Sequence, residues 1–124
     1  MTGKPTEHQI QSAYIAWHRT QGYPGVIFAI PNGGGRHALT GVTLKREGVL
    51  AGVPDVFYAW PSGGYGGLFI EFKTPRGRLS DAQKVIQEEL RAAGYAVETV
   101  TSGTEAARAV DSYLATARAA PGDR

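Results

Sequence analysis

The stretch Gly67-Leu68-Phe69-Ile70-Glu71-Phe72-Lys73-Thr74 decides the fold predicted for this chain, because it reads as one strand carrying an acid and a base among apolar residues. Side chains alternate across a strand, so Glu71 and Lys73 share one face and Ile70 and Phe72 share the other. Such a run is typical of a central strand buried on both faces, where an unpaired charge costs on the order of several kcal/mol. Glu71 and Lys73 therefore require a partner or a function.

A second acid stands at the start of another apolar strand, sixteen positions upstream of Glu71. This acid is Asp55, in Gly52-Val53-Pro54-Asp55-Val56-Phe57, and a proline is tolerated there because it precedes the strand. The glycine-rich residues 61–67 join the two strands as a hairpin. We therefore expect Asp55 and Glu71 at neighbouring strand positions.

Two carboxylates at such positions point to a metal ion. At about 4 Å they would repel by roughly 4 kcal/mol at an effective dielectric constant of about 20. A hard divalent cation removes that penalty, and carboxylate oxygens completed by water and substrate phosphate are the ligands that Mg²⁺ prefers. Lys73 could then orient or deprotonate a water, or neutralise charge that develops on a phosphoryl group.

Length and composition set limits on the class of protein. A chain of 124 residues predicts a single domain over residues 1–124. The absence of cysteine excludes disulfides, cysteine-ligated zinc, iron–sulfur clusters and thiol catalysis. Short apolar runs and the lack of a signal pattern favour a soluble cytoplasmic protein without a membrane partner. The net charge of +2 permits a nucleic-acid partner without indicating one.

A capping box at Thr6 and Gln9 opens the first predicted helix. Its predicted buried stripe consists of Ile10, Ala13, Tyr14 and Trp17. Glu7 lies on the same face. It is either a favourable partner of the helix dipole or an acid with a catalytic or metal-linked role.

A second capping box, Ser80 with Gln83, opens the helix that follows the Glu71 strand. Gln83 either caps this helix or points its amide at Glu71 and Lys73. The predicted buried stripe of this helix is Ala82, Val85, Ile86, Leu90 and Ala93.

The last two elements are a strand over 95–100 and a final helix. Ser102 and Glu105 cap that helix, and its predicted stripe is Ala106, Val110, Tyr113 and Leu114. Residues 119–124 are expected to form a flexible tail beyond a core over about 6–114. The order of elements, including a short helix over 39–48, predicts an α/β fold with a small mixed sheet flanked by helices on both faces. The strands at 67–74 and 95–100 should be parallel, because a helix connects them.

Basic residues cluster beside the proposed acids. Arg36 ends a glycine-rich turn that lacks the Gly-Lys-Ser/Thr ending of a P-loop, and it could contact a phosphate or lie in a plain surface loop. Arg76, Arg78 and Lys84 follow the Glu71 strand. They either hold a nucleic-acid backbone or form a solvated basic face.

Pro54-Asp55 followed by Glu71-Phe72-Lys73 resembles the pattern that names the PD-(D/E)XK nuclease superfamily. The wider spacing is similar to one branch, the virus-type replication-repair nuclease (VRR-NUC) domain. The further residues that carry this resemblance are Glu7, Asn32-Gly33, Gly52-Val53, Arg76-Gly77-Arg78-Leu79-Ser80, Gln83 and Gly94-Tyr95.

The resemblance implies a restriction-endonuclease-like fold and Mg²⁺- or Mn²⁺-dependent hydrolysis of phosphodiester bonds. It implies that Asp55, Glu71 and the Phe72 carbonyl hold metal, that Lys73 serves the attacking water, and that Glu7 and Gln83 complete the site. Standalone members resemble phage proteins that dimerise and cut branched DNA such as Holliday junctions. On this basis we expect a homodimeric endonuclease whose partner is branched DNA, acting in a bacterial host.

Two other functions remain open from the sequence. A non-catalytic DNA-binding module would use the same basic loops, but it would have no need for Asp55, Glu71 and Lys73 together. A restriction-type nuclease that reads a specific sequence would need contacts to base edges. The small size of the chain favours recognition of DNA by shape and phosphate contacts over recognition of base sequence.

Overall fold

A computed structural model of the protein describes residues 3–31 and 46–119. Within these ranges the elements follow the predicted order. They are α1 Glu7–His18, β1 Val26–Ala29, β2 Val56–Ala59, β3 Leu68–Phe72, α2 Asp81–Ala92, β4 Ala96–Val100 and α3 Gly103–Ala119. The Asn32-Gly33 turn and residues 120–124 lie outside the described residues. The predicted short helix over 39–48 lies outside them except for residues 46–48.

The four strands form one mixed sheet in the order β1-β2-β3-β4. The pairs β1–β2 and β2–β3 are antiparallel and β3–β4 is parallel. The predicted hairpin and the predicted parallel pairing are both confirmed. β3, which carries Glu71, therefore lies inside the sheet with a strand on each side.

The two faces of β3 differ as its alternating pattern predicts. Leu68, Ile70 and Phe72 are fully buried in the apolar core. α1 and α3 cover this face, and the Tyr14 ring of α1 lies 6.3 Å from the Phe72 ring. α2 covers the other face, because Gln83 of α2 reaches Glu71. The α/β architecture with helices on both faces of a small mixed sheet is thus confirmed.

The buried stripe of α1 differs from the prediction. Ala13 and Trp17 are exposed, and the third buried residue beside Ile10 and Tyr14 is His18. The Tyr14 hydroxyl lies 2.8 Å from His18 Nδ1, and the imidazole packs between the rings of Tyr23 and Tyr58. The Tyr14 hydroxyl pairs with one ring nitrogen, and the aromatic rings enclose the rest of the imidazole, where Nε2 has no hydrogen-bond partner among the described residues. The stripe therefore has i, i+4, i+8 spacing and turns away from Trp17.

The stripe predicted for α2 is wrong. Ala82, Val85 and Ala93 are exposed, and Ile86 and Leu90 are only half-buried. The residue of this helix that is buried is Gln87. The helix rests on the sheet through side-chain hydrogen bonds, which hydrophobic periodicity does not detect. For α3 the prediction holds, since Ala106, Val110 and Tyr113 are buried and Leu114 packs against the core.

Arginine side chains contact both edges of the sheet. Arg19 donates to the carbonyl of Ile27 in β1 at 3.0 Å. Arg91 donates to the carbonyl of Val97 in β4 at 3.1 Å. Both carbonyls point away from the neighbouring strand, because alternate residues of an edge strand face outward. No helix of the described ranges is long and apolar enough to cross a membrane.

Two valines on helices provide a matched test of this packing. Val110 is fully buried and Val85 is 55% exposed. We expect Val110→Ala to lower the free energy of unfolding by about 2 kcal/mol and Val85→Ala to change it by less than about 0.5 kcal/mol. Urea unfolding of both variants measures the difference. Equal losses would show that α2 packs through its apolar residues after all.

Candidate active site

Asp55 is positioned by the strand that begins one residue after it. Its backbone carbonyl accepts from the N–H of Ile30, which ties it to the end of β1. Its side chain turns toward β3, where Oδ2 accepts from the N–H of Phe72 at 2.8 Å. Burial raises the pKa of Asp55, and the Phe72 hydrogen bond partly opposes that effect. The carboxylate is therefore held at the end of β3, as the sequence predicts.

Glu71 is a buried acid with one unsatisfied oxygen. Its residue is only 2% exposed, and Oε2 accepts from the Gln83 amide at 3.1 Å. Oε1 is buried and has no hydrogen-bond partner within the described part of the chain. Burial, followed by the charge of Asp55, raises the pKa of Glu71 to about 8. An ionised Glu71 thus calls for a positive group at Oε1.

Lys73 lies directly after β3 on the same face as Glu71. Its Nζ is 4.0 Å from Glu71 Oε2, and its side chain is largely buried. The charge of Lys73 lowers the pKa of both acids, although not enough to cancel the effect of burial. The structure therefore brings Asp55, Glu71 and Lys73 together.

Gln83 performs both of the functions that the sequence left open. Its Oε1 accepts from the N–H of Ser80, and its own N–H donates to the Ser80 hydroxyl, which completes the capping box. Its Nε2 donates to Glu71 Oε2. One side chain therefore starts α2 and orients the carboxylate.

A proline lies opposite Phe72, so β2 offers no backbone N–H to the Phe72 carbonyl. Lys73 donates its backbone N–H to a β4 carbonyl, so Phe72, one residue earlier, faces β2. The β2–β3 register, extended by two residues, places Pro54 opposite Phe72. Because proline has no N–H, this position of the ladder cannot supply a donor to the Phe72 carbonyl. The carbonyl lies on the side of Asp55 and suits a third oxygen ligand.

The remaining predicted residues surround this centre at different distances. Glu7, half-buried in the first turn of α1, is near enough for its charge to raise the pKa of both Asp55 and Glu71. Arg76, Arg78 and Lys84 are exposed on the loop after Lys73 and the first turn of α2. Arg36 lies outside the described residues.

The donor set fits a hard divalent cation. The described residues contain no group of three or more His, Cys, Asp and Glu side chains that could hold a metal. An ion would instead take Asp55, the unsatisfied Oε1 of Glu71 and the Phe72 carbonyl, with water or phosphate in the remaining positions. Mg²⁺ characteristically binds through one or two carboxylates and keeps several waters.

A polar link that the sequence pattern did not predict lies beside the site. Gln87 donates to the hydroxyl of Thr99, which lies beside Glu71 in the parallel register. A signal was present, since Gln83, Gln87 and Arg91 recur every four residues and must share one face of α2. Hydrophobic periodicity does not detect such a polar row.

Comparison with known proteins supports the fold. A solved structure of a "VRR_NUC domain protein" is similar to this chain, with a TM-score of 0.79 and 26% sequence identity over 93% of each chain. The family model of the VRR-NUC domain matches residues 5–103. No curated protein matches the sequence.

The fold and the site thus define a nuclease-type α/β domain. The chain belongs to the VRR-NUC domain family, as the sequence motifs indicate. This membership implies a hydrolase of the nuclease class with DNA as its substrate.

The raised pKa of Glu71 predicts how stability depends on pH without metal. Folding raises this pKa from 4.5 to about 8, so the folded state binds a proton more tightly. The resulting stability is fully present below about pH 4.5 and is lost as the pH rises toward 8. Each tenfold difference in proton affinity between the folded and unfolded states is worth about 1.4 kcal/mol. We expect Glu71→Gln to flatten this decline, measured by urea unfolding in chelator between pH 5 and 8.

The control is Glu98→Gln, which removes an exposed carboxylate of β4. It should retain the decline of the unmodified protein. If Glu71→Gln retains it as well, then Glu71 is not the group that carries a proton in the metal-free fold.

Proposed function

We propose that this protein is a Mg²⁺- or Mn²⁺-dependent endonuclease that hydrolyses phosphodiester bonds of DNA. One observation carries the proposal. Glu71 is buried with an unsatisfied Oε1, beside a second acid and 4.0 Å from the Lys73 amine. Burying two neighbouring acids without a cation is unfavourable in free energy, so a purely structural role in the core does not account for them. The same pair suits a metal site.

The proposed roles follow from the contacts. Asp55, Glu71 and the Phe72 carbonyl hold the ion, which supplies Lewis-acid chemistry to the phosphoryl oxygens when bound. As an ammonium, Lys73 orients the attacking water and offsets negative charge on the phosphoryl group; as a neutral amine, it instead takes the proton of that water. The water oxygen forms a bond to phosphorus, one ester P–O bond breaks, and the leaving oxygen ends protonated. Gln83 donates a hydrogen bond to Glu71 Oε2, so that Oε1 remains for the ion. Glu7 adds negative charge at the edge of the site.

The binding-module alternative is weakened by the same acids. Two carboxylates at a phosphate-binding surface oppose a polyanion unless a cation lies between them. The restriction-type alternative requires contacts to base edges, whereas the exposed arginines of the loop after Lys73 suit the backbone. We therefore favour recognition of DNA structure over recognition of base sequence.

The finer proposal is a homodimer that resolves branched DNA, Holliday junctions among it, in phage or bacterial replication and repair in the cytoplasm. One Asp55–Glu71–Lys73 centre cuts one strand, and a nearly two-fold junction needs two cuts, which a two-fold dimer supplies. Trp60 and Tyr65, at the turn of the hairpin, are 40% and 41% exposed and offer an apolar patch for such contact. Tyr58, two residues before Trp60, is buried in the core and does not belong to this patch.

Asp55→Asn is expected to abolish cleavage, and Lys73→Met to reduce the rate by about 10²–10⁴ while leaving DNA affinity nearly unchanged. The first removes a proposed ligand and the second removes the group that serves the water. The assay incubates each variant with Mg²⁺ or Mn²⁺ and linear, flapped, nicked and four-way DNA. Glu98→Gln is the control and should cut as the unmodified protein does. If saturating DNA restores the rate of Lys73→Met, Lys73 is an ordinary phosphate contact.

Neutralising Arg76 and Arg78 together should make DNA affinity less dependent on salt. If both touch duplex phosphates, the slope of log affinity against log salt falls by about two. Fluorescence anisotropy over a salt series gives this slope. Arg108→Ala, on the exposed surface of α3, serves as control. An unchanged slope would assign the loop to a solvated basic face.

Solution mass under activity conditions tests the dimer. We expect twice the chain mass, and Trp60→Ser with Tyr65→Ser should shift the protein toward monomer and reduce cutting of four-way DNA. A monomer that cuts flaps but leaves four-way junctions intact would refute the resolvase proposal while sparing the nuclease one.

A further inference from the structure

Three polar residues of α2 hold this helix to the sheet. Gln83, Gln87 and Arg91 recur at intervals of four residues and each donates to a group of the sheet. The acceptors are Glu71 Oε2, the Thr99 hydroxyl and the Val97 carbonyl. Hydrogen bonds therefore decide where this helix sits, because its apolar residues are largely exposed or half-buried.

Gln87 is the centre of this row. It is only 3% exposed, and its Nε2 donates to Thr99 Oγ1 at 3.0 Å. Arg91, one turn further, lies 3.4 Å from Gln87 Oε1 and also holds the Val97 carbonyl. A buried amide has fixed directions for its donors and acceptor, so this contact permits only a narrow range of helix positions.

Thr99 makes the link to the site direct. It pairs with Glu71 in the parallel register of β3 and β4. Gln87 thus donates a hydrogen bond to the strand residue beside Glu71. Gln83, one helical turn earlier, donates a hydrogen bond to Glu71 itself. A shift of α2 along the sheet would strain both contacts together.

The first turn of α2 also touches the segment that leads to Asp55. Gly52 has a φ of +95°, and a Cβ added there would lie 2.7 Å from the carbonyl group of Ala82 and 3.0 Å from the N–H nitrogen of Gln83. Backbone therefore meets backbone three residues before Asp55. The first turn of α2 is therefore fixed on two sides, by the hydrogen bond of Gln83 to Glu71 and by packing against Gly52.

We propose that Gln87, through Thr99, is a positioning residue of the active site, one that sets the placement of α2 so that Gln83 can hold Glu71. The inference rests on the proposed nuclease function. Gln87 does not touch the reacting atoms. It acts through Gln83, so its effect exists only while the Gln83 amide holds the carboxylate.

The test compares Gln87→Leu, Gln83→Leu and the double variant. Gln87→Leu keeps a similar side-chain volume. It should lower kcat by about 10-fold or more and leave KM for DNA nearly unchanged, because loss of a residue that orients a metal ligand typically has an effect of this size. Affinity for Mn²⁺ without DNA, measured by calorimetry, should fall by about 10-fold as well. In the Gln83→Leu background, Gln87→Leu should have little further effect on either quantity.

Two further variants separate positioning from general destabilisation. Thr99→Val removes the same hydrogen bond from the other side, so it should reproduce the losses of Gln87→Leu. Val110→Ala loosens the core without touching α2 and should retain kcat and Mn²⁺ affinity. Urea unfolding of every variant confirms that each is folded under assay conditions.

The outcomes distinguish this inference from the proposed function. If the unmodified protein neither binds Mn²⁺ nor cuts DNA, the nuclease proposal fails. If the unmodified protein does both and Gln87→Leu matches it, or if the losses simply add in the double variant, the positioning role is overturned. A comparable loss of kcat in Val110→Ala would also overturn it, because the effect would then be general.

Discussion

The burial of the Glu71 carboxylate is the constraint on which the rest of the structure depends. A charged group with one unsatisfied oxygen in an internal strand is unfavourable by itself. Its neighbours meet that cost in part, through the Gln83 amide and the Lys73 amine. A proton on Glu71 can remove the remaining cost, in keeping with the raised pKa of this carboxyl. A cation held by Glu71 and Asp55 together would remove it as well. Under the proposed function a cation would replace that proton at the same oxygen, which would link the chemistry of the site to the stability of the fold.

Much of the fold and the centre of the site could be predicted because their signals are local. Pro54-Asp55 and Glu71-Phe72-Lys73 each lie within one strand, and a short glycine-rich turn brings those strands together. Strand alternation then determines which side chains share a face. The same reasoning predicted a capping box at Ser80 and Gln83, since the cap depends on spacing within one turn.

What could not be predicted depends on contacts between elements. The inward face of α2 was assigned to apolar residues because helical periodicity measures hydrophobicity alone. Gln87 becomes a buried residue only when β4 supplies the Thr99 hydroxyl. His18 likewise replaces Trp17 inside because rings from distant segments surround it. In both cases burial of a polar side chain depends on a residue of another element, the Thr99 hydroxyl of β4 for Gln87 and the Tyr58 ring of β2 for His18.

The arginines on the two outer strands bear on how copies of this chain can associate. An outer strand normally offers free carbonyl and N–H groups to any extended segment that approaches, which is how sheets grow from one molecule into the next. Here the guanidinium groups of Arg19 and Arg91 already occupy an outward carbonyl on each side of the described sheet. An incoming strand would have to displace a charged donor before it could pair. Growth of the described sheet into fibrils is thereby opposed at both margins, whereas contacts through side-chain surfaces do not meet this obstacle.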